Sequence, residues 1–227
     1  LPSPDAKAAL PTAVVQAERL AQQKVTEFFA KATDQELFKL FNGGQQAPDT
    51  AWAEHLAQIR EILNNGESPV QLLVMEQASQ LTAIAAFTGN GPDGKPTVWV
   101  NPFWMGLLDT QDIANVLVEE LGHWMDSVLN PQSDTPGDEG EHFANVVWAQ
   151  DDAPSNVSLS DAGWVSVAGT RYEVEFASYN FVNAYQMVYD LNNSATASIT
   201  TASIDTNERW ADKEQNLHYF NVTNPLG

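Results

Sequence analysis

Hydrophobic residues recur at the spacing of a helix through the first quarter of the chain. Leu20 and Val25 belong to one such series, which predicts a helix over 12–32. A Thr-Asp-Gln-Glu capping box opens a second, shorter helix over 33–41, because its outer side chains bond the free amides of a helix start. A third helix is expected over 50–64, where an Asn-Asn-Gly sequence closes it.

The pattern then changes to short apolar runs bounded by turn residues, as is typical of strands. Three such runs are Val70–Val74, Leu81–Phe87 and Thr97–Val100. The clearest helical pattern in the chain follows at 110–129, between an Asp-Thr-Gln-Asp capping sequence and an Asn-Pro stop. After a polar loop, a further helix is predicted over 138–149.

The C-terminal third differs in character from the rest. Trp164–Val167 and Thr170–Phe176 predict a β-hairpin about an Ala-Gly turn, and 181–191 has a helical pattern. Together the elements predict an α+β fold. We expect N-terminal helices, a small mixed or antiparallel sheet with the 110–129 helix packed on it, and a C-terminal β/α subregion.

The composition supports a folded core of considerable size. The chain has 227 residues, 43% of them hydrophobic, which suits one medium domain or two small ones. We predict a single domain over 1–227. If it divides, the parts are a metal-helix region at 1–150 and the C-terminal subregion at 163–227.

Charge excludes several classes of partner. Thirty acidic residues stand against ten Lys and Arg, a formal net charge of −20, so nucleic acid and anionic membrane surfaces are not expected partners. Divalent cations suit such a chain better. The absence of cysteine excludes disulfides, thiolate zinc sites and thiol nucleophiles, and no apolar run is long enough to span a bilayer.

The 110–129 helix carries the candidate chemistry. At about 100° per residue, Glu119, His123 and Asp126 share one side of the helix. They point away from an apolar face, whose members are Ile113, Leu117, Leu121, Trp124 and Val128. The ordinary alternative is a solvated helix face on which Glu119 and His123 form a simple i,i+4 pair.

The string Glu-Glu-x-x-His resembles the His-Glu-x-x-His helix of zincins with one ligand exchanged, and this resemblance implies that the α+β fold is zincin-like. In that motif, two side chains one turn apart bind zinc and the intervening Glu activates water. By this comparison Glu119 and His123 bind the metal, and Glu120 is the general base. The carboxylate in place of the first histidine makes the donor set more anionic and chemically harder. We therefore expect a divalent ion, zinc first, with manganese or calcium as alternatives.

A third ligand is expected shortly after the helix. Glu139 and Glu141 stand 16 and 18 residues past His123, the spacing of metalloproteases that use a Glu as third ligand. Asp126 is the local competitor. The ordinary alternative for the downstream carboxylates is an acidic helix cap. Late in the chain, His218 is a candidate oxyanion stabiliser, against the alternative of an ordinary histidine.

Three segments together carry a family resemblance: 93–101, 118–126 with its Glu-Glu-x-Gly-His string, and 134–141, which reads Asp-Thr-Pro-Gly-Asp-Glu-Gly-Glu. They resemble a domain of large secreted bacterial proteins that often carry haemolysin-type calcium-binding repeats. The resemblance covers about 93–145. It implies a secreted, extracellular bacterial protein and a place within a larger polypeptide.

Two hypotheses of function follow. The first is a secreted zincin-like metallohydrolase, foremost a metallopeptidase that acts on a peptide or protein substrate. The second is a non-catalytic metal- or partner-binding module of a large adhesin-like or matrix protein. They differ at Glu120, which is required for turnover under the first hypothesis and dispensable under the second.

Overall fold

The helical pattern of the N-terminal third forms three helices in the computed structural model, which describes residues 10–75, 84–133, 135–148, 162–167 and 169–176. Their bounds are α1 (Thr12–Phe29), α2 (Asp34–Leu40) and α3 (Thr50–Asn65). The capping box of α2 forms as predicted: the Glu36 amide donates to the Thr33 hydroxyl, and the Thr33 amide donates to the Glu36 carboxylate. The first helix ends three residues before the predicted bound.

Five strands form one mixed sheet among the described residues. They are β1 (Gln71–Val74), β2 (Ala85–Thr88), β3 (Thr97–Val100), β4 (Ala162–Val167) and β5 (Thr170–Phe176). Their order is β1-β3-β2-β5-β4, with β1 and β3 parallel and the other neighbours antiparallel. The predicted sheet and hairpin are confirmed, although residues 81–83 of the second predicted strand lie outside the described residues.

Three further helices follow β3 among the residues that the structure describes. A short helix α4 (Pro102–Met105) precedes the long helix α5 (Thr110–Leu129), and α6 (Glu139–Val147) comes after a turn. The predicted bounds of α5 are confirmed, and the Asp109 carboxylate caps it by accepting from the Asp112 amide at 2.9 Å. The helices and sheet together confirm the predicted α+β class.

Helix α5 is the centre of the fold. It packs against α1, α3, α6 and strand β2. Because neighbours surround it, its predicted polar side is buried as well as its apolar side, while Val128, predicted on the apolar face, is only half-buried. The alternative of a solvated helix face is therefore wrong for this helix.

The sheet carries apolar side chains on the face that points away from α5. Trp99, Val165 and Val174 belong to one buried cluster there. Successive residues of a strand point to opposite faces, so Glu175 lies on the face that β5 turns towards α5. This alternation brings a carboxylate from the C-terminal hairpin to the long helix.

The described residues all fall within one compact unit, Leu1–Ala177. The hairpin continues the sheet of the N-terminal region through the pairing of β2 with β5. The predicted helix at 181–191 lies outside the described residues, and the predicted division of the chain stays a prediction. In the described part of the chain, no helix combines the length and the hydropathy that a bilayer span requires.

Candidate metal centre

Four titratable side chains of α5 are almost completely buried. Glu119, Glu120, His123 and Asp126 expose 2%, 0%, 1% and 3% of their surface. Charged side chains are rarely buried to this degree unless they are paired or bind a metal. Helix α6 covers Glu119 and His123 on the side that the sequence pattern marks as polar, since Gly140 of α6 lies directly against both residues.

Two glycines allow the helices to approach so closely. A Cβ atom on Gly140 of α6 would lie 2.5 Å from Nε2 of His123 and 2.8 Å from the carbonyl oxygen of Glu119. A Cβ atom on Gly122 of α5 would lie 2.8 Å from Cα of Gly140. The absence of a side chain at Gly140 therefore lets the start of α6 pack directly against the imidazole of His123.

Three side chains form a first possible ion-holding group, named the Nε2 group because Asp138 approaches that nitrogen of His123. Glu119, His123 and Asp138 each offer a ligand atom, and these atoms all lie within 4.8 Å of one another. Asp138 is the N-cap of α6: its Oδ1 accepts from the Glu141 amide at 2.7 Å and lies 3.9 Å from Nε2 of His123. Carboxylate oxygen and imidazole nitrogen are ordinary ligands of zinc and related ions, so this group could hold a divalent cation.

On the Nδ1 side, two more carboxylates meet the same ring. Nδ1 of His123 lies 2.8 Å from Oε1 of Glu139 and 3.2 Å from Oε2 of Glu175. Glu139 is the first residue of α6 and its side chain is buried, whereas the side chain of Glu175 is 35% exposed. His123, Glu139 and Glu175 form a second group of side chains that could hold an ion.

The surplus of negative charge shifts two pKa values. Burial raises the pKa of Glu119 well above its ordinary value, and the charges of Asp138 and Glu141 raise it further. Burial by itself would lower the pKa of His123, but the hydrogen bond and charge of Glu139, with the charges of Glu175 and Asp138, raise it well above the ordinary value. Both shifts favour the protonated forms of Glu119 and His123. Protons bound there would offset negative charge that a divalent cation could offset instead.

Asp126 has a different environment from the other candidates. Its carboxylate accepts from Nδ2 of Asn130 at 2.8 Å, from the Thr135 amide at 3.2 Å and from the Thr135 hydroxyl. The Thr135 hydroxyl oxygen also accepts from the Gly43 amide at 2.9 Å. Through Thr135, Asp126 therefore links the turn between α5 and α6 to the N-terminal region at Gly43. Asp126 belongs to neither ion-holding group.

Replacing Asp126 with asparagine is expected to flatten the pH dependence of stability. Burial raises the pKa of Asp126 from 3.8 to about 6, against the lowering effect of its hydrogen bonds. A raised pKa in the folded state stabilises the protein below the unfolded value of 3.8, and this stabilisation is lost as pH rises through about 6. The wild type should lose up to about 3 kcal/mol more than Asp126→Asn between about pH 4 and 7.5.

The measurement is chemical denaturation of the metal-free protein across that range. Asp109→Asn is the matched control, because Asp109 is an exposed N-cap and asparagine caps about as well as aspartate. Parallel curves for wild type and Asp126→Asn would contradict the expectation.

The structure brings together some of the predicted site residues and separates others. Glu119 and His123 lie in the Nε2 group, and Glu139 lies on the Nδ1 side. Glu141 donates its backbone amide to Asp138 and contributes charge near Glu119, but its side chain is in neither group. The predicted oxyanion residue, His218, lies outside the described residues.

Two members of the groups, Asp138 and Glu175, were not among the predicted ligands. Asp138 had a signal in the sequence, because an Asp three residues before Glu141 at a helix start is a capping pattern. A capping carboxylate is fixed in direction, and here it is directed towards His123. Glu175 had no local signal, because only the strand pairing of the hairpin carries it to α5.

Comparisons with known proteins do not assign the chain to a family. Comparison of the chain with protein-family models, with curated proteins and with solved structures finds no match. The resemblance to the domain of large secreted bacterial proteins accordingly stays a prediction. The conclusion that the chain supports at this point is a buried His and carboxylate centre that could hold a divalent metal ion.

Proposed function

We propose that the chain is a zincin-like metallohydrolase that cleaves peptide bonds, with its metal held by Glu119, His123 and Asp138. One observation carries the proposal. The helix with the Glu-Glu-x-x-His string places Glu119 and His123 in a buried group that a downstream Asp138 completes. Two ligands one helical turn apart and a third from a later segment are the arrangement of zincin metal sites.

The choice of the Nε2 group over the Nδ1 group rests on the hydrogen bond to Glu139. A ligating histidine generally donates its other ring N–H to a carboxylate, which fixes the ring and its tautomer. The 2.8 Å contact between Nδ1 of His123 and Glu139 has this form. When Nδ1 carries the proton of the neutral ring, Nε2 carries the lone pair that binds metal. Glu139 then orients the ligand His123.

The donor set favours zinc among divalent ions. One imidazole nitrogen and two carboxylate oxygens give three protein ligands, the number that catalytic zinc sites use while a fourth position stays open. Manganese also suits this set, whereas calcium prefers six or more oxygen ligands.

Glu120 has the position that the general base occupies in the zincin string. Its carboxylate is fully buried, and its charge contributes to the raised pKa of Glu119, so the two carboxylates are near one another. A bound ion would supply Lewis acidity to the scissile carbonyl. Glu120 would take the proton of the attacking water and pass it to the leaving amine.

A second candidate function is a non-catalytic, metal-holding module of a larger secreted bacterial polypeptide. The observation that favours it is burial: Glu119, His123 and Glu139 expose 2%, 1% and 5% of their surface. Structural metal sites are closed in this way, whereas catalytic sites admit substrate. In such a module the ion stabilises the crossing of α5 and α6 and performs no chemistry.

The test measures metal content and hydrolysis on the same preparation of the whole chain, purified without chelator. Elemental analysis should give about one equivalent of zinc, as expected for one three-ligand site. Cleavage of a fluorogenic peptide library should be lost after chelation and restored by zinc. A metal-loaded protein without hydrolysis would overturn the hydrolase proposal in favour of the module. The absence of any bound divalent ion would overturn both.

A further inference from the structure

Glu175 is the one member of the two ion-holding groups that comes from the sheet. Its carboxylate oxygen Oε2 lies 3.2 Å from Nδ1 of His123, on the same side of the ring as Glu139. The ring is therefore held on its Nδ1 side from two elements, α6 and β5. The strand is fixed in its turn, because β5 pairs with β2, with Glu175 opposite Phe87, and β2 packs on α5.

We propose that Glu175 is a positioning residue of the metal centre, by which the C-terminal hairpin sets the orientation and basicity of His123. This inference rests on the proposed function, because it takes Nε2 of His123 as the metal ligand. Glu175 acts through the imidazole, and it touches neither substrate nor ion.

The physical reason is the charge that develops on a ligating imidazole. A cation bound at Nε2 draws electron density from the ring and makes the Nδ1 proton more positive, so a carboxylate beside Nδ1 strengthens the metal bond. Glu139 already accepts at 2.8 Å, but it is the first residue of a helix that follows a turn. Glu175 adds a second negative charge from a hydrogen-bonded strand, and rigid elements position ligands more closely than loops.

The chain offers a matched control two residues away. Glu173 lies on the same strand and, by strand alternation, on the same face as Glu175, but its side chain is exposed. Glu173→Gln and Glu175→Gln therefore remove the same charge from the same face. Only the change at 175 removes a carboxylate from His123. Glutamine keeps a carbonyl oxygen that can accept from the Nδ1 proton but lacks the negative charge, so the variant tests the charge of Glu175 itself.

The experiment measures zinc affinity of the whole chain by competition with a chromophoric chelator, for wild type and both variants. Glu175→Gln should weaken zinc binding by about 10- to 100-fold, the usual cost of losing such an outer partner. Glu173→Gln should stay within about twofold of wild type, because an exposed charge is largely screened. Circular dichroism confirms that each variant is folded.

A spectroscopic reading separates positioning from general support of the fold. The visible spectrum of the cobalt-substituted protein should change in Glu175→Gln and stay unchanged in Glu173→Gln. Only the first variant changes the surroundings of the ligand His123. In ¹⁵N-histidine NMR of the zinc form, the ring of His123 should be protonated at Nδ1 and metal-bound at Nε2, assigned by its loss in a His123 variant.

Each outcome bears on one proposal. Equal affinities and unchanged cobalt spectra for both glutamine variants would overturn the role of Glu175 and leave the metallohydrolase proposal standing. Equal weakening by both would assign the effect to net charge and also overturn it. Zinc bound at Nδ1 would make Glu175 a ligand instead of a positioning residue. No binding by the wild type would overturn the metal centre itself.

Discussion

Replacing His123 with alanine is expected to remove the bound metal ion. His123 supplies the single nitrogen of the Nε2 group and is the residue shared by both ion-holding groups. Loss of an outer partner of a ligand usually costs about 10- to 100-fold in affinity, so loss of the ligand itself should exceed about 100-fold. Elemental analysis should therefore find about one equivalent of zinc in the wild type and essentially none in His123→Ala.

The same substitution should also destabilise the metal-free fold. Against the lowering effect of burial, the hydrogen bond and charge of Glu139 and the charges of Glu175 and Asp138 raise the pKa of His123, so they favour the charged ring. Removing one partner of a buried ion pair typically costs about 3–5 kcal/mol, because the other charges stay buried without it. His123→Gln keeps much of the volume and a donor towards Glu139, so it preserves a folded variant in which metal loss can be measured.

His142→Ala is the matched control for the loss of metal. His142 lies in α6, close in sequence to the candidate ligand Asp138, but it belongs to neither ion-holding group. This variant should keep its zinc. Full metal content in both histidine variants would contradict the assignment of the ion to α5. Loss in both would point to a general failure of the α5 and α6 packing.

Replacing Glu120 with glutamine is expected to abolish turnover while sparing the metal. Glutamine has nearly the same shape, so the buried position of Glu120 can accommodate it, but an amide cannot accept the proton of the attacking water. General-base catalysis contributes about 10²- to 10⁴-fold, and kcat should fall by that factor. The measurement is peptide cleavage by zinc-loaded protein, with zinc content determined on the same sample.

The control is Glu61→Gln, which makes the same chemical change at an exposed position of α3. It should leave both turnover and metal content unchanged. If Glu120→Gln loses its zinc, Glu120 helps to hold the ion and is not primarily a base. If Glu120→Gln keeps full turnover, the zincin comparison fails at its catalytic residue.

Local patterns in the sequence determined the elements and the first pair of candidate ligands. Helix caps and periodicity act within a few residues, so they fixed α5 at 110–129 and the capping box of α2. Helical geometry likewise placed Glu119 and His123 one turn apart on one side of α5. The acid surplus of the chain, a net charge of −20, already favoured a cation as the partner of that side.

The surroundings of this pair depend on how the other elements pack on α5. Amphipathic periodicity marks a polar side of α5 but does not say whether solvent or another helix covers it. The close approach of Gly122 and Gly140 makes α6 that cover. The same crossing directs the capping carboxylate of Asp138 to the Nε2 side of His123 and Glu139 to the Nδ1 side.

The contribution of Glu175 could not be predicted from local sequence patterns. Glu175 reaches His123 because β5 adds to the sheet beside β2, and strand pairing depends on contacts far apart in the chain. Strand alternation then fixes its side chain on the helix-facing side. Local sequence patterns thus show which side chains one helix can offer to a metal. The packing of α6 and β5 on that helix decided which other carboxylates meet the same imidazole, because their positions depend on long-range contacts.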